Sequence, residues 1–474
     1  MERRVTTAQL RRLVPEPSAG RSAYVHLATT LRALVLDGRV PLGARLPAER
    51  ELASALGLSR TTITAAYRLL RRDGYLASRR GAGTFTTFPD EPASAVPWLA
   101  LEADESTIDL TVAAPRPSAE LIADAASAAV EQLPRHLADD GYHVLGLPAL
   151  REAVAERYRA RGLPTTAGQI AITAGAQGAL SLLARTLLSP GAATLVESPT
   201  YPNALDAFRS ASARLLTVPV ETGEWDDDLV ESAFRQTLPR LAYLIPEFHN
   251  PTGQLMPHST RETVVRAARA AGTHLVVDES FAGLALEPGL VEPPPLAALD
   301  PERVISIGAL SKCAWGGVRV GWIRATASLV QRVGTARPSL DIANPVLDQL
   351  VAVELLARLD EILAAQRERL ALRLAALTEA FDDLPGWQLL PPQGGLSAWV
   401  ALDCSSTALA AAAAEEGVRI PPGPRFGTDG ALERFVRFPF ALPPAQLREA
   451  ASRLARAREH VPPLAAAVDS GWVL

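Results

Sequence analysis

Lysine is almost missing from this sequence. Of 47 strongly basic side chains in 474 residues, only Lys312 is a lysine; the rest are arginines. An Ala-, Arg- and Leu-rich composition accounts for a general shortage of lysine, but not for the one position that keeps a primary amine. An aldehyde condenses with an amine and not with a guanidinium, so a residue that carries a Schiff base cannot drift to arginine. Cysteine is scarce too: Cys313 and Cys404 are too few for a disulfide framework and too isolated for a structural metal site. No run of about 18 apolar residues is present, which excludes a membrane-spanning helix. The opening MERRVTTAQLRRLV has charge but no continuous apolar stretch of signal-peptide type. The expected location is the cytoplasm.

What is present is unevenly distributed. At 474 residues the chain is long enough for two or more folded units. The formal net charge of −5 conceals a division: residues 1–88 hold 15 arginines against 6 acids, and the remainder holds 32 basic residues against 46 acids. A basic first fifth joined to an acidic remainder points to different partners for the two parts, the first of them polyanionic.

Residues 1–20 read as a flexible, arginine-bearing lead. From Tyr24, VHLATTLRALVLDG places apolar residues at helical spacing and stops at Gly38. In VPLGARLPAERELASALG, Pro47 opens a helix, Glu49 and Glu51 occupy its acidic first turn, and Gly57 closes it. SRTTITAAYRLLRRDG then predicts a helix capped by Ser59, with Ile63, Ala66, Tyr67 and Leu70 on one face. Two short helices across a tight turn make a helix-turn-helix, whose second helix offers Arg60, Thr61 and Thr62 to the major groove. YLASRRGAGTFTT predicts two strands about a Gly-rich turn from Arg79 to Gly83, a basic wing.

Over GARLPAERELASALGLSRTTITAAYRLLRRDGYLASRRGAGTF the segment resembles the winged-helix domain of GntR-type bacterial regulators. The resemblance assigns residues 21–88 to a domain that binds double-stranded DNA. It implies contacts from Arg45, Ser59, Arg60, Thr61 and Thr62, and from the wing at Arg79, Gly81, Gly83 and Thr84.

Residues 89–106, PDEPASAVPWLALEADES, are rich in proline and acids, lack periodicity, and read as a linker. From 107 to 474, strand-like runs alternate with helical stretches, the pattern of an α/β domain with a mainly parallel sheet and helices on both faces. Polar residues fall at the ends of five strands. QIAIT ends at Thr173 and passes into the small-residue turn Gly175, Ala176 and Gln177, whose free backbone N–H groups suit an anion such as phosphate. TLVE leads to Tyr201, LAYLI to Asn250, HLVV to Asp278, and RVISIG to Ser311 and Lys312. Open α/β sheets bind ligands at that end.

The inventory suits pyridoxal 5'-phosphate, which needs an amine for its aldehyde and an acid for its pyridinium nitrogen. Lys312 supplies the first and Asp278 the second. Asn250 suits the ring hydroxyl, Tyr201 the ring face, and residues 175–177 with Ser311 and Arg319 the phosphate. Through LPALREAVA, TAGAQGAL, ESPTYPN, HNPTG, VVDES and SKCAWGGVRVGW, the chain from 107 onward resembles the fold type I aminotransferases. That resemblance implies a small C-terminal α/β subdomain and, through FVRFPFA, Arg437 as the residue for a substrate or effector carboxylate. It also implies a homodimer, with Tyr142 as the residue placed to reach a neighbour's phosphate.

Three positions depart from the family pattern. Ala176 and Ala309 stand where hydroxyl residues are usual, and Phe281 stands in place of a tyrosine that bonds the ring oxygen. The expectation is weak cofactor binding and slow transamination. A GntR-like winged helix joined to an aminotransferase-like domain resembles the MocR family of regulators over essentially the whole chain. It implies a transcriptional regulator that senses pyridoxal phosphate or an amino-acid-like effector. The competing readings are a pyridoxal-phosphate aminotransferase with an accessory DNA-binding domain, and a DNA-binding scaffold indifferent to the cofactor.

Overall fold

The computed structural model describes residues 4–14, 23–36, 40–41, 43–72, 74–79, 83–87, 106–221, 224–382, 384, 386–428 and 430–464. Gly38, Gly81 and the linker up to residue 105 lie outside them. The chain divides into two compact units: 1–111 with 401–436 and 453–474, and 112–400 with 437–452.

In the first unit, helices α1 (Thr7–Leu13), α2 (Ala23–Leu36), α3 (Glu49–Leu56) and α4 (Arg60–Arg72) precede strands β1 (Leu76–Arg79) and β2 (Gly83–Thr86). Gly57 ends α3 with φ 66°, a left-handed conformation that suits glycine. Ser59 starts α4 by accepting a 3.1 Å hydrogen bond from the Thr62 amide. The four residues expected on its inner face, Ile63, Ala66, Tyr67 and Leu70, are buried in one apolar cluster with residues of α2 and α3. Strands β1 and β2 pair antiparallel, with Arg79 opposite Gly83.

Residues 4–14 depart from the expected flexible lead. Thr6 and Gln9 form a capping box, with Gln9 N donating to Thr6 Oγ1 at 3.2 Å and Thr6 N donating to Gln9 Oε1 at 2.8 Å. Val5 and Leu10 are buried in the winged-helix core, and Leu13 and Val14 pack against it. Charge set the expectation of an open lead, but four apolar residues and a local cap outweigh it.

The same unit contains strands β3 (Ile108–Asp109) and β14 (Val418–Arg419), which pair in parallel. The second unit is built on an eight-stranded sheet of β4 (Ile170–Thr173), β5 (Ala193–Ser198), β6 (Arg214–Glu221), β7 (Glu224–Trp225), β8 (Leu241–Leu244), β9 (His274–Asp278), β10 (Val304–Ala309) and β11 (Gly321–Arg324). Its order is β4-β11-β10-β9-β8-β5-β6-β7. The run from β10 through β9, β8 and β5 to β6 is parallel, and the pairs β10–β11, β11–β4 and β6–β7 are antiparallel. Helices Gly175–Leu187, Pro202–Ser210 and Ala327–Ala336 bury Leu180, Leu183, Phe208 and Val330 against the apolar residues of the strands. Strands β12 (Gln388–Leu390), β13 (Ser397–Ala401) and β15 (Phe435–Pro439) form a smaller sheet in the order β12-β13-β15.

Candidate functional site

Buried polar groups fix the ends of strands in the large sheet, beginning with the edge strand β4. Arg337, 1% exposed, donates to the carbonyls of Val144 and Ile172 and to Asn344 Oδ1, and Asn344 donates to the Thr173 carbonyl. The carboxyl end of β4 is therefore held by hydrogen bonds just before the chain turns into helix Gly175–Leu187. Gly175 has φ +73°, and a Cβ there would lie 3.1 Å from Arg319 Nη2. Arg319, itself in a left-handed conformation, donates to the Ala174 carbonyl at 2.8 Å. The turn thus presents first-turn backbone amides of Gly175, Ala176 and Gln177 beside a guanidinium, the composition of a phosphate cradle.

Strand β9 ends on Asp278, which is 5% exposed. Its Oδ1 accepts from the Ser280 amide at 3.0 Å and its Oδ2 from the Tyr243 hydroxyl at 2.9 Å. Burial raises its pKa, opposed by those hydrogen bonds and by Lys312. Parallel pairing of β8 with β9 sets Tyr243 opposite Val276, two residues before the carboxylate.

Lys312 follows β10 by three residues, with Ser311 half-buried beside it. Its Nζ donates to the Ala113 carbonyl at 2.7 Å and lies 6.0 Å from the centroid of the Phe281 ring. Burial lowers its pKa to about 8, helped by Arg437 and Arg319 and opposed by Asp278. The amine, the acid and both arginines therefore share one electrostatic neighbourhood. Arg437, on β15, is 6% exposed.

Tyr201 caps helix Pro202–Ser210 and accepts a 3.0 Å hydrogen bond from Asn203 Nδ2. Burial, then the charge of Asp278, pushes its pKa up to about 12. Asn250 is 6% exposed and its Oδ1 has no hydrogen-bond partner in the protein; the buried Gln177 Oε1 is in the same condition. Such groups cost free energy unless a ligand or water completes them. Ala176 is half-buried, Ala309 and Phe281 are buried, and none of the three brings a hydroxyl. Tyr142 is 64% exposed.

The residues present fit pyridoxal 5'-phosphate. They combine a primary amine of lowered pKa, a buried carboxylate with oriented lone pairs, an amide with an open acceptor, and an amide-lined turn whose glycine leaves room for Arg319. Sequence reasoning missed Tyr243, Ala113 and Asn203. Tyr243 sits mid-strand in an apolar run, and the Ala113 contribution is a main-chain oxygen with no side-chain signal.

On the winged helix, Ser59, Arg60 and Thr61 are exposed and Thr62 half-buried at the start of α4. Their hydroxyls bond one another, Ser59 Oγ lying 2.7 Å from Thr61 Oγ1 and 2.8 Å from Thr62 Oγ1. Arg45 reaches the wing: a Cβ on residue 83 would fall 2.9 Å from its Nε. Gly83 is exposed and Thr84 half-buried. Among the described residues there is no group of His, Cys, Asp or Glu suited to a metal, and no helix long and apolar enough to cross a membrane.

Comparison with known proteins identifies the families of both regions. Residues 107–454 match the family described as aminotransferase class I and II, and residues 23–86 match the bacterial regulatory proteins of the gntR family. An HTH-type transcriptional regulator of Bacillus subtilis, YisV, is 28% identical, with 77% of this chain and 81% of YisV covered. The probable rhizopine catabolism regulatory protein MocR of Rhizobium meliloti is 32% identical, covering 66% of this chain and 67% of its own length. Among solved structures, LysN, the alpha-aminoadipate aminotransferase of Thermus thermophilus complexed with N-(5'-phosphopyridoxyl)-L-leucine, superposes with TM-score 0.68 at 30% identity, covering 75% of this chain and 93% of its own. The chain belongs to the aminotransferase class I and II family, in the MocR-type arrangement that joins a GntR-family helix-turn-helix to an aminotransferase domain.

Proposed function

We propose that the protein is a cytoplasmic, homodimeric transcriptional regulator whose aminotransferase domain binds pyridoxal 5'-phosphate at Lys312 and senses that cofactor or an amino-acid-like effector. The observation that carries this reading is that parallel pairing of β10 with β9 sets Ile307 opposite the buried Asp278, so that the chain's one lysine follows the strand next to the one that ends on this carboxylate. When bound, the cofactor supplies an aldehyde that condenses with a primary amine and a ring that withdraws electrons. Burial holds part of the Lys312 population in the neutral, nucleophilic form near neutral pH. Asp278, oriented by Tyr243 and Ser280, would accept a hydrogen bond from the protonated ring nitrogen, and Asn250 would bond the ring hydroxyl. Residues 175–177, Ser311 and Arg319 would hold the phosphate, and Arg437 would hold the carboxylate of an effector.

The winged helix gives the domain a readout. Arg60, Thr61 and Thr62 meet base edges and phosphates, and a dimer supplies two half-sites whose simultaneous contact strengthens binding. An effector changes DNA affinity only by the difference in its own affinity for two states of the protein. The absence of hydroxyls at Ala176, Ala309 and Phe281 favours sensing over rapid turnover.

The deciding experiment is fluorescence anisotropy of the full chain on DNA from upstream of its own gene, at fixed salt, with and without pyridoxal phosphate, for wild type and Lys312→Ala. A cofactor-dependent change in specific affinity that Lys312→Ala abolishes supports the regulator. Specific binding indifferent to both, accompanied by steady-state transamination of amino acids, supports an aminotransferase that carries an accessory DNA-binding domain. Indifference without turnover leaves a scaffold.

A further inference from the structure

The wing is wider than two strands. Residues 43–46 run along β2, with Leu46 N donating to Thr84 O at 2.9 Å and Thr86 N to Ala44 O at 3.0 Å. Residues 4 and 5 lie along the outer edge of that segment, where Val5 N donates to Arg45 O at 3.0 Å and Arg4 bridges Arg45 in parallel. Side chains alternate between the two faces of such a ladder. Val5, Ala44, Leu46 and Leu76 are buried in the winged-helix core, so Arg4 and Arg45 occupy the face turned away from it. Gly83 shares that outer face, because its missing Cβ is what leaves room for the Arg45 side chain.

Resting on the reading that Arg45 and the wing meet DNA, we propose that Arg4 is a further DNA-phosphate contact and that residues 4–14 are a fixed part of the DNA interface. Charge complementarity names the partner. RVTTAQLRRLV, residues 4–14, contains no acid, and Arg4, Arg11 and Arg12 are exposed. Position is set by more than charge: the Thr6–Gln9 capping box and the burial of Val5 and Leu10 hold the segment on the domain. Arg4 is therefore presented beside Arg45 with little ordering entropy left to lose, unlike a charge on a loose tail. Phosphate contacts of this kind add affinity for any duplex and fix register, without selecting bases.

The test uses the full chain and a mixed-sequence 40-base-pair duplex, with anisotropy measured from about 0.05 to 0.2 M salt. Arg4→Ala is expected to weaken binding roughly 3- to 10-fold at ~0.1 M salt and to flatten the slope of log K against log salt by about 0.9 per chain bound. Arg4→Lys keeps the charge and restores both quantities, which a merely structural role for the guanidinium would not predict. Thermal unfolding of each variant separates loss of contact from loss of fold, since Val5 and Leu10 remain in place. If Arg4→Ala leaves affinity and slope at wild-type values while Arg45→Ala lowers them, the DNA face stands and the Arg4 assignment is overturned. If Arg45→Ala is silent as well, the reading of this face as DNA-binding fails and the inference falls with it.

Discussion

The Nζ of Lys312 donates a 2.7 Å hydrogen bond to the main-chain oxygen of Ala113. A carbonyl accepts a hydrogen bond from either the ammonium or the amine, so this contact fixes the position of the nitrogen without demanding that it be charged. Burial, with Arg437 and Arg319, brings its pKa down to about 8, against the partial opposition of Asp278. At pH 7 roughly one amine in ten is then neutral, against roughly one in three thousand for an unperturbed lysine. The rate at which the apoprotein takes up pyridoxal phosphate is therefore expected to rise with pH and level off just above 8. Stopped-flow absorbance of the bound chromophore checks it; a rate still climbing tenfold per unit from pH 8.5 to 9.5 contradicts it.

The same shift has a consequence for stability. The folded pKa of Lys312 lies below its unfolded value of 10.5, so between about 8 and 10.5 the unfolded chain binds more protons and stability rises with pH. The cost of charging the buried amine is fully present below pH 8 and vanishes above the unfolded pKa. Lys312→Met removes it. The variant is expected to be more stable than wild-type apoprotein below pH 8 by on the order of 3 kcal/mol, less the lost bond to Ala113, with the advantage shrinking toward pH 10. Paired denaturant titrations across that range measure the difference, and a gap that is flat with pH rules the account out.

Tyr243 is fully buried and donates to Asp278 Oδ2 at 2.9 Å. Tyr243→Phe preserves the edge-to-face contact with Phe208, whose ring centroid is 5.7 Å away, and removes only the hydroxyl. The carboxylate loses a donor that favours its charged form, so its pKa moves further up and its hold on a protonated ring nitrogen weakens. The expected result is a stability loss of about 1 kcal/mol and an affinity for pyridoxal phosphate several-fold lower, read by equilibrium dialysis. Unchanged affinity in a folded variant would restrict Tyr243 to a packing role.

Two glycines at the phosphate turn are expected to respond differently to alanine. At Gly321 a Cβ would meet Gly175 C at 2.6 Å and Gly308 O at 2.8 Å, main-chain atoms of neighbouring elements that have nowhere to go. At Gly175 the nearest atom is Arg319 Nη2 at 3.1 Å, the end of a side chain that can swing, though φ +73° adds strain of about 1 kcal/mol. Gly321→Ala should lower the melting temperature more, by a ΔΔG of about 2 kcal/mol or above. Gly175→Ala should lower it less, yet weaken phosphate binding by displacing Arg319. The opposite order of melting temperatures would mean the turn relaxes in a way these distances do not allow.

Much of the large unit was legible because its chemistry sits where strands end. Thr173 and Asp278 close β4 and β9, and Tyr201, Asn250 and Lys312 follow β5, β8 and β10 within a few residues. Turn chemistry and a change from apolar to polar mark such places in one dimension. Tyr243 carries no such mark, since a tyrosine inside LAYLI has the pattern of core, and only the pairing of β8 with β9 brings it to Asp278. Arg337 and Asn344 were invisible for the same reason: they act on carbonyls of Val144, Ile172 and Thr173, which any sequence offers. On the N-terminal side, the inner face of α4 followed from its period, whereas the helix Thr7–Leu13 was hidden by the arginines around it. Its signals were the Thr6–Gln9 pair and the apolar residues Val5 and Leu10, too short a pattern to outweigh the charge.

Ala176 offers the simplest way to ask whether a hydroxyl in the first turn would strengthen the proposed cofactor site. It is half-buried in the first turn of helix Gly175–Leu187, two residues after the Ala174 carbonyl that Arg319 engages. A hydroxyl there would join the backbone amides of the turn as one more donor to a phosphate oxygen, and serine fits the first turn of a helix without conformational cost. Ala176→Ser is expected to tighten pyridoxal phosphate binding roughly 3- to 10-fold, the worth of one charge-assisted hydrogen bond in a partly wet site. Free pyridoxal, which lacks the phosphate, should bind the variant and the wild type equally. A gain for both ligands would place the hydroxyl's effect on the ring or on the fold, and no gain for either would mean that the 175–177 turn is not where the phosphate sits.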